Sequence, residues 1–493
     1  MATTSLSLLQ TGVVEHINMS TWMRFKSAIQ GGMNNIGDMY LNDEQDYYGT
    51  DENSPIMIFD SSDFTGTTAA EVSSATLTLT IVKTHATNVA GSCTVRVWIP
   101  ATDTEYTLPL ADGRDMYDGS SESYDGVLRQ GHGFVNSNQT STGTASDYSY
   151  GGVTVHDLSS QDWSIGETLS FDITAQLKAY FRNPHRVNNG QVVITLDFEG
   201  WGGSMWGRTV SNSVHLDGEN GSDPPTLDMT YETKSRTRVV LPTTSLGADF
   251  VWHGGNWKSD GTGSKTATVN SVSYELIEAD RTYATSYDPA YETQGFAIFP
   301  IDSGEVTQGE TLDAAILSFT EKGQTGYYGD DVPTYGSNKP AMIYGDKSDS
   351  PSYPIDFSDL DSKPVTTAMV YDKQGSNLDN WASNARSAYQ LDVTDIVNEI
   401  IANSSWDGSA IQFILKPQAG SYMDYSSYRP FYRTGGAGDV FVPVLSFIRS
   451  SGGGGGGGSS STTKKTFNLS IDGAMGKSFS LDGEDDLLSR MGF

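Results

Sequence analysis

The chain has 493 residues, 37% hydrophobic and 18% charged, with 61 acidic against 30 basic residues for a formal charge of −31. That balance excludes a free nucleic-acid binder, which needs a concentrated basic face for phosphates, and disfavours binding to an anionic membrane for the same reason. With 53 glycines, 25 tyrosines and 19 phenylalanines, the composition is that of strands joined by many turns and predicts an all-β fold in several domains.

In chain order, Met1-Ala-Thr-Thr-Ser-Leu6 has no basic segment leading an apolar one, so it does not read as a secretory signal. No apolar run reaches the roughly 18 residues of a membrane-spanning helix. Asp43-Glu-Gln-Asp46 and Asp51-Glu52, like the later Asp330-Asp331 and Asp346-Lys-Ser-Asp349, are acidic turns that either lend oxygens to Ca²⁺ or are simply solvated. Ser74-Ala-Thr-Leu-Thr-Leu-Thr80 alternates as a strand does, and so does the segment holding the single cysteine, Cys93, which reads as a small buried hydrophobe. One cysteine excludes an intramolecular disulfide and a cysteine-rich zinc site.

Four landmarks then occur twice in the same order. Ser74–Thr80, Phe171-Asp-Ile-Thr174, Val192–Phe198 and Pro224–Tyr231 are echoed by Ala314–Phe319, Leu391-Asp-Val-Thr394, Ile411–Leu415 and Val442–Phe447. Asp172 and Asp392 stand 220 residues apart, each leading a short helical segment expected to start near Thr174 and Thr394. In the second, positions 396, 397, 400 and 401 form one apolar helical face, with Thr394 and Asp395 as N-cap residues. The halves divide near Thr233. Ser450-Ser451, seven glycines (Gly452 to Gly458) and three serines then form a flexible tether. Beyond it, Phe467, Leu469 and Ile471 alternate with polar residues as in a strand, and a piece of about 32 residues is too short to bury a core of its own.

The block that runs from Ala-Thr-Leu-Thr-Leu through an Asp-[Ile/Val]-Thr helix start to Pro-Pro-x-Leu-x-x-x-Tyr, with Asn18-Met-Ser-Thr-Trp22 and Gly31 to Gly37 ahead of it, resembles the DNRLRE family. The match covers residues 70–232 well and 240–449 more loosely, where Asp439-Val-Phe-Val-Pro443 replaces the Pro-Pro and an acidic insertion occupies roughly 325–380. The resemblance implies jelly-roll β-sandwiches akin to carbohydrate-binding modules, found in bacterial surface proteins and phage structural proteins. It also implies that a structural calcium is one use of the acidic turns, no other cofactor being expected.

Chemistry is sparse. The seven histidines (16, 85, 132, 156, 185, 215 and 253) show no metal-ligand spacing, and Asp260-Gly-Thr-Gly-Ser-Lys-Thr266 lacks the Gly-Lys-[Ser/Thr] order of a phosphate loop. Gly202-Gly-Ser204-Met-Trp206 is not a nucleophile elbow, because Trp206 stands where Gly is needed. The suggestive feature is tryptophan among glycines. Trp201 and Trp206 share their five-residue spacing with Trp252 and Trp257, and such rings either stack on sugar or pack at a domain junction.

The reading is an all-β chain of two tandem antiparallel jelly-roll β-sandwich domains, 1–233 and 234–450, a Gly/Ser linker 451–461, and a C-terminal anchoring segment 462–493. Phe467, Leu469, Ile471, Phe479, Leu487 and Leu488 are its anchoring candidates. An extracellular-type composition without an export signal fits a non-enzymatic virion structural protein of a bacteriophage, made in the host cytoplasm: a capsid decoration, head fibre or tail appendage. A cytoplasmic scaffold or signal-independent secretion fits it too. The partners expected are other virion proteins and further copies of the chain, with no nucleic acid and no membrane. The alternative is an adhesion module that contacts host surface glycans.

Overall fold

Along Ser74–Thr80 the alternation becomes burial: Ala75, Leu77 and Leu79 are inside while Thr76, Thr78 and Thr80 are half-exposed. The same period-2 pattern builds antiparallel ladders through most of the described residues, so the protein is all-β, with few, short helices among those residues. This structure, a computed structural model, describes residues 1–16, 23–26, 39–46, 49–84, 92–98, 108–110, 115–117, 153–158, 160–184, 186, 190–199, 212–241, 248–254, 261–263, 266–269, 272–282, 291–320, 341–371, 388–417, 429–434 and 443–450. The chain divides into two units, Met1–Ser451 and Gly452–Phe493, and the second lies outside the described residues.

Within the first unit the buried side chains form two main cores. One draws on Leu6 to Met229 and the other on Val239 to Phe447. Each lies between two layers of strands. In the first, Leu77, Phe171 and Leu227 face Phe59, Val95 and Val192, and in the second, Leu317, Leu391 and Leu445 occupy the same core as Phe299, Ile411 and Phe413.

The duplication read from the sequence extends to strand register. Across the first half a row runs Leu6, Leu227, Leu77, Phe171, and across the second half Val239, Leu445, Leu317, Leu391. In the facing layers, Met57, Ile194 and Val97 align as Ala297, Phe413 and Gly345 do. Volumes compensate along that row. Phe413 is larger than Ile194, Ala297 is smaller than Met57, and Gly345 leaves room for the helix Thr394–Ile401. A Cβ at position 345 would stand 2.6 Å from Ile400 Cδ1 and 2.7 Å from Ile396 Cγ2.

Strand Thr226–Val240 belongs to both rows. Its Thr226–Ser235 portion pairs with strand Thr68–Thr84, and its Lys234–Val240 portion pairs with strand Val444–Ser450. For the second half it fills the place that Ala2–Leu6 fills for the first. Thr233, where the sequence echo suggests a division, therefore sits inside one continuous strand. Ala69, Ala314, Ile316 and Ile448 make a small apolar cluster beside it.

Helix α1 (Thr174–Arg182) and helix α3 (Thr394–Ile401) start where the sequence places them, and α3 buries Ile396, Val397, Ile400 and Ile401. Their capping differs from expectation. The N-cap positions are Ile173 and Val393, and neither makes a side-chain cap bond. Thr394 is not a cap. Its hydroxyl donates to Asp392 Oδ1 and accepts the Ala315 N–H at 2.9 Å, while its N–H reaches Asp392 Oδ1 at 3.0 Å. Thr174 does the same with Asp172 (2.6 Å from the hydroxyl, 2.9 Å from the N–H) and with the Ala75 N–H (2.9 Å). Each Asp-x-Thr thus clasps the helix start to the neighbouring strand, because a hydroxyl pointing sideways serves an otherwise idle strand N–H. Helix α2 (Phe357–Asp361), inside the acidic insertion, is capped conventionally by Asp356, which accepts from Asp359 N–H at 2.9 Å.

Replacing Thr174 or Thr394 by Val strands the N–H of Ala75 or Ala315. Each change should lower unfolding free energy by about 1–3 kcal/mol in urea titration, with the far-UV CD spectrum retained. Gly345→Ala must push Ile396 and Ile400 aside, at a cost of about 1–3 kcal/mol in the same assay.

Candidate functional site

A depression with described walls lies at the N-terminal end of α3. It has a volume of about 390 Å³ and is lined by Asp313, Asp392, Thr394, Asp395 and Ile396, with Ala368, Met369 and Val370 from strand Val365–Tyr371 on the other side. Three carboxylates near a helix N-terminus sit where the helix dipole favours them. Two cations approach: Arg182 Nη1, from the first half, stands 3.9 Å from Asp392 Oδ2, and Lys234 Nζ, from the shared strand, stands 3.3 Å from Asp313 Oδ2. Arg182 is held in turn by Glu71, with bonds of 3.1 and 2.8 Å. The pocket wall is therefore also the ionic part of the seam between the halves.

The Thr394 hydroxyl is committed on both sides by the clasp, so it is not poised as a nucleophile. Glu399, one turn further along α3, accepts the N–H groups of Thr367 (2.9 Å) and Ala368 (2.9 Å) and pairs with Lys347 Nζ at 2.9 Å. Burial pushes its carboxyl up, but the bonds from Ala368, Thr367 and Lys347 outweigh it and hold the group below the usual range. These bonds also occupy two N–H groups of a strand that pairs with strand Ala341–Asp346 on its other side, which blunts it as a template for further strands.

The acidic turns fare variously. Asp43 and Glu52 stand opposite each other on the paired strands Met39–Asp46 and Gly49–Asp60, not in a turn. Asp346 is fully buried, meets Lys363 Nζ at 3.0 Å and accepts the Ser348 N–H at 2.8 Å, so its carboxylate already has a cationic partner. Asp330-Asp331 lies outside the described residues. Among the described residues, no group of three or more His, Cys, Asp or Glu side chains is arranged to hold a metal ion. Cys93 is buried.

Of the tryptophans singled out, Trp252 lies on strand Ala248–Gly254, opposite Thr293 on one side and Gly261 on the other. Trp201, Trp206 and Trp257 lie outside the described residues, as do Phe467, Leu469, Ile471, Phe479, Leu487 and Leu488. No helix among the described residues is long and apolar enough to cross a membrane. No family model matches the chain, and no curated protein matches its sequence.

The sequence reading passed over Lys234-Ser-Arg-Thr-Arg238. Its signal is three cations at alternate positions in a chain of charge −31, which marks one face of a strand. That strand is the shared one, and Lys234 and Arg236 are buried.

Acid should weaken this fold, and the sign follows from two sets of groups. Burial lowers the His156 pKa, against the pull of Asp172, so the unfolded chain takes up that proton first as pH falls below about 6.5. Asp172, through the Thr174 hydroxyl and N–H, and Glu399 have lowered values. Their contribution is complete above the ordinary carboxylate range and is lost as pH falls through those lowered values. The urea midpoint should be level near pH 7, decline below about 6.5 and drop steeply below about 4. Glu399→Gln should start lower and show a shallower acid limb.

Proposed function

We propose that this chain is a non-enzymatic structural protein of a phage particle, exposed as a capsid decoration, head fibre or tail appendage. Its two halves are tandem jelly-roll domains of the DNRLRE type, and residues 462–493 anchor them. The observation that carries this reading is a duplicated sandwich-like body, fused through one strand without a linker, followed in sequence by seven glycines and a short segment. A body of that kind suits a particle surface, where rigidity and repetition matter more than a cleft. A tethered short segment suits docking to a repeated lattice, because the tether raises its effective concentration at neighbouring sites. The alternating Phe467, Leu469 and Ile471 suit strand addition on a partner's sheet edge, with Phe479, Leu487 and Leu488 adding apolar contact. The partners in this reading are other virion proteins and further copies of the chain on the particle, reached from the host cytoplasm.

Deleting residues 452–493 tests the reading. The truncated chain should stay folded and soluble, keep the urea midpoint of the full chain, and fail to join particles assembled in a producing host. Incorporation at the level of the full-length chain would show that the tail is not the anchor. The glycan-adhesion alternative draws on the matched spacing of Trp201 and Trp206 with Trp252 and Trp257. It requires that Trp201→Ala and Trp257→Ala each weaken binding on a glycan array by on the order of 1 kcal/mol, about fivefold.

A further inference from the structure

Strands Ala2–Leu6 and Val444–Ser450 lie on the same flank of the shared strand. From Leu227 to Tyr231 the shared strand pairs with Ala2–Leu6 and with strand Thr68–Thr84 at once, so these two flank it on opposite sides. At Lys234 and Ser235 it pairs with Ala69 and Thr68 of that strand and also with Ser450 and Arg449, so Val444–Ser450 again lies on the side away from Thr68–Thr84. Both flanking strands are antiparallel to the shared strand and therefore run the same way along it. Val444 to Ser450 stand opposite Val240 to Lys234, and Ala2 to Leu6 stand opposite Tyr231 to Leu227. Only the positions opposite Thr233 and Glu232 separate the end of one from the start of the other, a step of about 10 Å from Ser450 to Ala2.

The repeat supplies the same interval. The aligned rows match Leu227 with Leu445 and Leu6 with Val239. Counting on from these, Thr233 corresponds to Ser451, and Lys234 corresponds to Met1. The ladder partners Tyr231 and Ala2 correspond in this way to Arg449 and Ser235, which are ladder partners too. The bond Thr233–Lys234 carries the last strand of the first half into the first strand of the second. Its counterpart is a junction between Ser451 and Met1. A strand that ran on from Ser450 through those two residues to Ala2 would set them opposite Thr233 and Glu232, with no position empty and none left over.

We propose that the two halves form a closed pair with two equivalent crossings between them, one covalent at Thr233–Lys234 and one open between Ser451 and Met1. Either crossing can carry the peptide bond, because each continues a strand in register and needs no turn. The closure also saturates the seam. A third half added by the same crossing would need the flank of Thr226–Tyr231 or of Val444–Ser450, and Ala2–Leu6 and Lys234–Val240 already fill them. Further copies of the chain therefore meet it through other surfaces.

Moving the joint tests this. A rearranged chain that starts with an initiating Met and runs Lys234–Ser451, Met1–Thr233 and then Gly452–Phe493 keeps every residue, seals Ser451 to Met1 and opens Thr233–Lys234. It should show the far-UV CD spectrum of the natural order and melt within about 10 °C of it. Chain ends that merely lie close together tolerate rearrangement through a slack joint, so the length of the joint is decisive. Omitting Ser451 shifts one strand by a residue, turns its inward side chains outward, and should lower the melting temperature by roughly a further 10 °C. Inserting six Gly and Ser residues at the joint should bring no gain over the direct joint. The proposal is overturned if the slack joint folds and the direct joint does not, or if omitting Ser451 costs nothing. It is overturned equally if none of the three folds, since equivalent crossings require that Thr233–Lys234 can be opened.

Discussion

Two hydrophobic cores in this protein are closed by one run of backbone. Strand Thr226–Val240 places Leu227 and Met229 in the first core and Val239 in the second, and it hydrogen-bonds to the first half along one stretch and to the second along the next. Neither half can rotate against the other without breaking that ladder, since a strand has no soft joint inside a paired region. The rest of the seam follows from this constraint. The Ala69, Ala314, Ile316 and Ile448 cluster, the reach of Arg182 to Asp392 and the bracketing of Lys234 by Glu232 and Asp313 all depend on a fixed relation between the halves.

The two halves solve the same packing problem with different atoms. Row by row, the four-residue alignments through Leu77 and Leu317 hold one apolar residue at each position, and what changes is how volume is shared. Close packing permits such exchanges when the sum is kept. Gly345 with Phe413 shows it: a side chain missing from one strand becomes the space into which Ile396 and Ile400 press. The polar part is copied more literally. Asp172 with Thr174 and Asp392 with Thr394 make the same bonds to Ala75 and Ala315, because hydrogen-bond geometry tolerates less variation than apolar contact.

Much of this was legible in the residues. Alternation located the strands from Ser74 and Ala314, and the 396, 397, 400, 401 spacing located the buried face of α3. The clasp was not legible, because Thr394 beside Asp395 satisfies a local capping pattern, while the group it serves, Ala315 N–H, is distant in sequence. The shared strand was hidden for a related reason. Thr226–Val240 alternates throughout and carries no turn residue at Thr233, so a division inferred from repeat spacing fell where the backbone continues. Short-range signals also undervalue charge placed at strand period, and Lys234, Arg236 and Arg238 carried no motif that set them apart from the other basic residues. The tryptophan and tail candidates rest on sequence pattern, with only Trp252 assigned a place in a ladder.

The tether leaves the chain at Ser450, the end of strand Val444–Ser450. That strand has neighbours on both sides, Ala314–Thr320 on one and the shared strand on the other. Its first-half counterpart is the opening portion of the shared strand, which runs on into the second half, whereas here the sequence turns to glycine. Any tension drawn along the tether would enter the protein at an interior strand. Pulled along its length, such a strand must slide past two ladders at once, and all their hydrogen bonds resist together. An edge strand would peel away one bond at a time. A load arriving through the tether would meet a strand braced on both sides, and one of those braces is the strand that joins the two halves.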